Sequence, residues 1–163
     1  MTSRPALRHA GFTLMEMLIV IAVLAILALV ALPNFTDKIV RDQVGEALTL
    51  AAIAKPPIEA AWRLGQPLPA DNAAAGLPAA EKIENNVVSA VAVQDGAIQI
   101  RFGNRAHDKL RGKTLSLRPA VVDDAVVVPV TWLCGMAPAP GKMTAKGSNR
   151  TDIPAALLPL RCR

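Results

Sequence analysis

The chain has 163 residues, 52% of them hydrophobic and only 3% aromatic, with a formal net charge of +5. That length fits one domain plus an appendage. The charge falls to +3 without Arg4 and Arg8 and is too mild to call for nucleic acid by itself. No phosphate loop, Gly-x-Ser-x-Gly elbow or His-Glu-x-x-His helix is present, so no catalytic residue and no cofactor are expected.

The first predicted elements are a basic leader and an apolar helix. Arg4 and Arg8 precede Gly11, and an almost unbroken apolar run extends from Phe12 to Leu32. As a helix that run is about 31 Å long at roughly 1.5 Å per residue, which matches a hydrocarbon core of about 30 Å. The preceding arginines predict a cytoplasmic N-terminus and a C-terminal body carried across the membrane. A removed secretory signal fits poorly. The run is too long for a usual apolar core, and no A-x-A triplet closes it. A plain signal anchor explains the run but not the acid inside it. That acid is Glu16, and a charge at such a depth needs a partner or a function. Without a partner, its carboxylate would have to snorkel to the interface.

Gly11-Phe12-Thr13-Leu14-Met15-Glu16 resembles the prepilin motif of type IV pilins. The likeness continues through Ala31-Leu32-Pro33-Asn34-Phe35 and Gln43-Val44-Gly45-Glu46-Ala47-Leu48, about the first third of the chain. The resemblance implies cleavage between Gly11 and Phe12 by a prepilin peptidase and N-methylation of Phe12. It also implies that Glu16 pairs, during assembly, with the terminal amine of a neighbouring subunit. In a low-dielectric bundle such a pair relieves much of the cost of an unpaired carboxylate. Other pilin subunits, the peptidase and methylase, an inner-membrane assembly machinery, and lipid before assembly are the implied partners.

Beyond Pro33 the helix is expected to kink and continue. Val40, Val44, Ala47, Leu48 and Ala51 recur at helical spacing and form one apolar stripe. Asp37 with Arg41 and Lys38 with Asp42 are i,i+4 pairs worth a few tenths of a kcal/mol each. Pro56-Pro57 predicts a kink or short interruption, with another turn or two through Ile58–Leu64 and a stop at Gly65. The resemblance implies an unbroken helix here, so the proline pair is a departure from it.

A loop is predicted at 66–76. Strands are predicted at Val87–Gln94, Ala97–Phe102, Thr114–Val121 and Val126–Leu133. Asp95-Gly96 is a two-residue hairpin turn, and the second pair joins near Asp123-Asp124. Together they predict a four-stranded antiparallel sheet with one face on the helix. Arg101, Arg105, Lys109, Arg111, Lys113 and Arg118 offer a basic patch for DNA or another anionic surface. With no aromatic interleaved beyond Phe102, a solvated connection fits better. His107 reads as a solvated surface residue. Asn149-Arg150-Thr151 fits a glycosylation sequon that, in a bacterial-type chain, is expected by chance.

Cys134 and Cys162 are an even pair downstream of a membrane segment, which fits export and oxidation. Two reduced thiols are the alternative; no Cys-x-x-Cys spacing suggests a metal, and none is expected. A bridge would staple a Pro- and Gly-rich tail with little regular structure to the sheet. The resemblance implies such a C-terminal disulfide loop, exposed on the filament.

The expected fold is therefore α+β: a long N-terminal helix packed on a four-stranded antiparallel sheet, with a C-terminal disulfide-bounded loop. The expected divisions are a leader at 1–11, a transmembrane helix at 12–32 and its amphipathic continuation at 33–64. A globular head at 66–163 follows, with its sheet at about 87–133 and its disulfide loop at 134–162. The expected function is that of a type IV pilus subunit, with adhesion, twitching motility or DNA uptake as implied roles. The alternatives are a minor pilin, a pseudopilin of type II secretion or, in another class, a membrane-anchored periplasmic binding module.

Overall fold

The computed structural model describes residues 11–163, with the side chains of 30–34 excepted. Residues 1–10 of the expected leader therefore lie outside the described residues, as does the ring of Pro33. The chain forms two compact units, one ending at Asp37 and one comprising Lys38–Arg163.

The helix α1 spans Leu14–Ala51. In the first unit its large apolar side chains are exposed, among them Leu14, Met15, Ile19, Leu24 and Leu29. In the second unit its character changes to amphipathic. Val40, Val44, Ala47 and Ala51 are fully buried, and Leu48 packs against them half-buried. That is the predicted stripe, and the 3.6-residue period explains it.

The interruption at the proline pair falls one turn earlier than the prolines themselves. Ala52–Ala54 form a 3-10 turn, and α2 spans Lys55–Arg63 with the prolines in its first turn. Neither proline has an N–H, and their rings crowd the carbonyls of Ala52 and Ile53, so the helix tightens before them. In the first turn of a new helix the missing donors cost little. Leu64 closes α2 and Gly65 follows at φ 64°, the left-handed stop expected there.

Four strands follow: β1 Val88–Gln94, β2 Ala97–Phe102, β3 Thr114–Val121 and β4 Thr131–Cys134. They form an antiparallel sheet in the order β1-β2-β3-β4. Gln94 pairs with Ala97 across a turn whose two residues, Asp95 and Gly96, both have positive φ. This is the geometry that matches strand twist. Val91, Val93, Ile98, Ile100, Leu115 and Leu117 point into the core with the α1 stripe and Ile58. The α+β class is thus the observed one.

One strand expectation needs correction. The fourth strand starts at Thr131, not Val126. Residues 122–130 are turns instead: Asp124 has φ 63°, Val127 is exposed, and Pro129 has no amide to give to a ladder. The tail between the cysteines, expected to have little regular structure, contributes a two-residue strand, β5, Thr144–Ala145. Ala120 of β3 pairs with Thr131 of β4 and also with Ala145 of β5. So β5 lies on the β2 side of β3 and continues that row where β2 ends at its hairpin. Gly147 lets the chain pass there. A Cβ on it would stand 2.6 Å from that of Ala97, and its φ is 74°.

Candidate functional site

Gly11, Phe12 and Thr13 precede the first turn of α1 and belong to no regular element. A Cβ on Gly11 would meet nothing within 4 Å. The fold thus has no steric need for glycine at 11, and its role is sought in recognition by another molecule. Phe12 is 78% exposed and next to it begins an exposed apolar helical surface.

Glu16 is the one acid in the first turn of α1. Its carboxylate Oε2 accepts from the Thr13 amide at 3.2 Å and from the Thr13 hydroxyl at 3.1 Å. In return the Glu16 amide donates to Thr13 Oγ1 at 3.2 Å. Thr13 and Glu16 thus form a reciprocal capping box, which satisfies donors that a helix start leaves open. The carboxylate also faces the positive end of the helix dipole. The capping role of Thr13 was missed from sequence, although Thr-x-x-Glu before an apolar run is its signature.

No helix made only of described residues is long and apolar enough to cross a membrane. The expected crossing segment, 12–32, includes positions 30–32, whose side chains lie outside the described residues.

At the other end of the chain, Cys134 and Cys162 form a disulfide with Cα atoms 4.4 Å apart. Both cysteines are buried. The Met136 amide donates to the Cys162 carbonyl at 3.0 Å, so backbone pairing reinforces the bridge. Asn149, the first residue of the sequon, donates through its side-chain amide to the Gly135 carbonyl at 2.9 Å. Its amide therefore has a structural task in holding the tail.

The basic run is in part engaged by the protein's own groups. Arg111 pairs with Asp108 at 3.3 Å, Lys113 donates to the Asp152 carbonyl, and Arg118 is half-buried on β3. His107 is half-buried, not freely solvated as expected. Its amide donates to Gln43 Oε1 at 2.9 Å, and its Nδ1 accepts from the Lys109 amide. Among the described residues no group of three or more His, Cys, Asp or Glu could hold a metal ion.

The family model for pilin, the bacterial filament protein, matches residues 40–163. The chain belongs to the pilin family. The model for the prokaryotic N-terminal methylation motif matches residues 7–32. The chain is 33% identical to a fimbrial protein of Neisseria meningitidis serogroup B over 90% of its length and 84% of the relative's. It is 34% identical to the type IV major pilin protein PilE1 of Neisseria gonorrhoeae, over 94% of this chain and 86% of that one. It is 38% identical to the fimbrial protein EcpC of Eikenella corrodens, over 76% and 80% respectively. This pilin is therefore a non-enzymatic structural subunit that polymerises with other pilin subunits into a membrane-assembled, extracellular pilus.

Proposed function

We propose that this pilin is cut between Gly11 and Phe12 by a prepilin peptidase and methylated on the new Phe12 amine. The chain then waits in the inner membrane as a single-pass subunit with its N-terminus in the cytoplasm. From there the inner-membrane machinery assembles it, with the helix that follows Phe12 forming the filament core. Glu16 then meets the Phe12 amine of a neighbouring copy. The observation that carries this reading is the chemistry of the helix start. A continuous apolar surface is exposed, and one carboxylate, Glu16, stands in its first turn. Lipid accepts the apolar surface but not the charge, whereas a bundle of copies offers both apolar contact and an amine. The unencumbered Gly11 fits the peptidase role, because a glycine leaves the backbone accessible.

The mass of the mature N-terminal peptide tests the processing. A chain starting at Phe12 and carrying one extra methyl group is expected. An intact Met1, or a cut after Leu32, would overturn the reading. Relatives named as major pilins favour a bulk role over a minor one, and abundance of this chain in sheared filaments decides between them. Adhesion, twitching motility and DNA uptake are the activities such a filament would serve.

A further inference from the structure

The outer face of the sheet carries a groove to which the proposed function assigns no role. Its floor is β1, where Ala90 and Ala92 point away from the core and leave room that larger side chains would fill. Arg101 of β2 lies opposite Ala90 in register, with Thr114 of β3 on its other side. One depression of about 260 Å³ is lined by Arg101, Arg150, Gln94, Gln99 and Thr114. A second of about 440 Å³ holds Ser89, Gly103 and Arg111. The two share Glu81, Ala90 and Arg101 and so adjoin, and together they make up the channel. Arg150 reaches the channel because the disulfide-bounded tail crosses the sheet there. Its amide donates to Ser116 Oγ at 2.7 Å, and Gln99 Nε2 donates to the Ser148 carbonyl at 3.0 Å.

Arg101 and Arg150 are both exposed, and among the described residues neither guanidinium has an ion-pair or hydrogen-bond partner. Two planar forks lining adjoining depressions suit carboxylate or sulfate groups spaced along an extended ligand. Between them the Gln94 side-chain amide and the Thr114 hydroxyl offer hydrogen bonds to uncharged hydroxyls. We propose that this channel binds a short stretch of an acidic polysaccharide, with Arg101 and Arg150 holding its anionic groups. A nucleic acid fits less well. A single strand needs aromatic platforms, and the channel's one aromatic, Phe102, is 1% exposed. A duplex presents its phosphates on a broad, stiff cylinder, whereas here the cations flank a depression that also contains Glu81.

The test uses the full chain in neutral detergent and a fluorescently labelled, heparin-derived hexasaccharide, read by anisotropy. An oligogalacturonate, a neutral dextran oligomer and a 12-base-pair DNA duplex are the comparison ligands. Binding of one or both acidic sugars and not of dextran is expected. Arg101→Gln and Arg150→Gln should each weaken it about fivefold, the upper end for an exposed ion pair. Ala92→Gln, which fills the floor and leaves every charge in place, should abolish it. Lys142→Gln, outside the channel, should change nothing, and all variants should melt with wild type. Three results would overturn the proposal: no acidic sugar binding at millimolar concentration, wild-type affinity in the two arginine variants, or unchanged binding in Ala92→Gln. DNA binding as tight as that of the sugars would also overturn it, since the surface would then be an unselective polyanion patch. None of these readouts depends on filament assembly.

Discussion

Thr13 and Glu16 hold each other at the start of α1, each accepting a hydrogen bond from the other's backbone amide at 3.2 Å. In the single chain the carboxylate proposed for assembly is therefore already employed, as a helix cap. The two jobs can be separated by substitution. Glu16→Gln keeps an acceptor for the Thr13 amide and loses the charge, because glutamine also serves in a capping box. Thr13→Ala loses the cap, at about 1 kcal/mol of local helix stability, and keeps the charge. Entry into filaments, measured as the fraction of chain in sheared pili, should fall severely for Glu16→Gln and Glu16→Ala and far less for Thr13→Ala. If Glu16→Gln assembles like wild type, the ion-pair role is lost.

Asn72 closes the free edge of β1. Its Oδ1 accepts from the Val93 amide, and its Nδ2 donates to the carbonyls of Val91 at 3.0 Å and Pro78 at 2.8 Å. A side-chain amide here does what a neighbouring strand would do. Asn72→Ala should cost about 3 kcal/mol, since it strands buried backbone groups at roughly 1–3 kcal/mol each. It should also expose a strand edge and raise the tendency to aggregate. Chemical denaturation and light scattering of the full chain in detergent would check both.

The Cys134–Cys162 bridge closes a loop with a sequence separation of 28. The chain-entropy estimate for that length is about 3–4 kcal/mol. The double substitution of both cysteines by serine should lower stability by that order. Faster amide exchange should appear first in the short helical turns at Ala155–Leu157 and Leu160–Cys162, which lie nearest the lost anchor. Equal exchange in the two proteins would show that the backbone bonds around Met136 hold the tail unaided.

Asp123 accepts from Lys146 Nζ at 2.7 Å and from the Thr144 hydroxyl at 2.8 Å, tying the β3–β4 connection to β5. The Lys146 hydrogen bond, followed by that of Thr144, holds its carboxyl below the ordinary value of 3.8. A depressed folded-state pKa stabilises above the unfolded value, and the gain is lost as pH falls through the folded value. The contribution should thus be complete at neutral pH and disappear only below pH 3.8. A carboxyl titration of Asp123 followed by NMR should have its midpoint below 3.8, and Lys146→Ala should raise it.

Several features were legible in local chemistry. The α1 stripe followed from its 3.6-residue period, and the β1–β2 hairpin from Asp95-Gly96, where two positive φ values select small or turn-forming residues. The Thr13–Glu16 cap was equally local and was overlooked. Other features were hidden because their causes are distant in sequence. Trp132 donates to Glu59 Oε1 at 2.7 Å and Asn85 to Glu46 Oε1 at 2.9 Å, so polar side chains flank the apolar stripe where helix meets sheet. A charged residue on a helix gives no sign of which strand or loop it will meet.

The sequence by itself determined that this chain is a pilin. A motif of leader charge, glycine, aromatic residue and acid is local, and the α+β order of its elements follows from hydrophobic periodicity. Tertiary structure alone decided the path of the tail. β5 is two residues long, too short for any periodic signal, and it forms because β3 has an open row beyond the end of β2. That pairing, with Gly147 against Ala97, brings Arg150 to the depression that Arg101 also lines, across nearly fifty residues of chain. Contacts of that separation depend on which backbone groups the rest of the fold leaves unpaired, and a linear pattern of residue types does not record them.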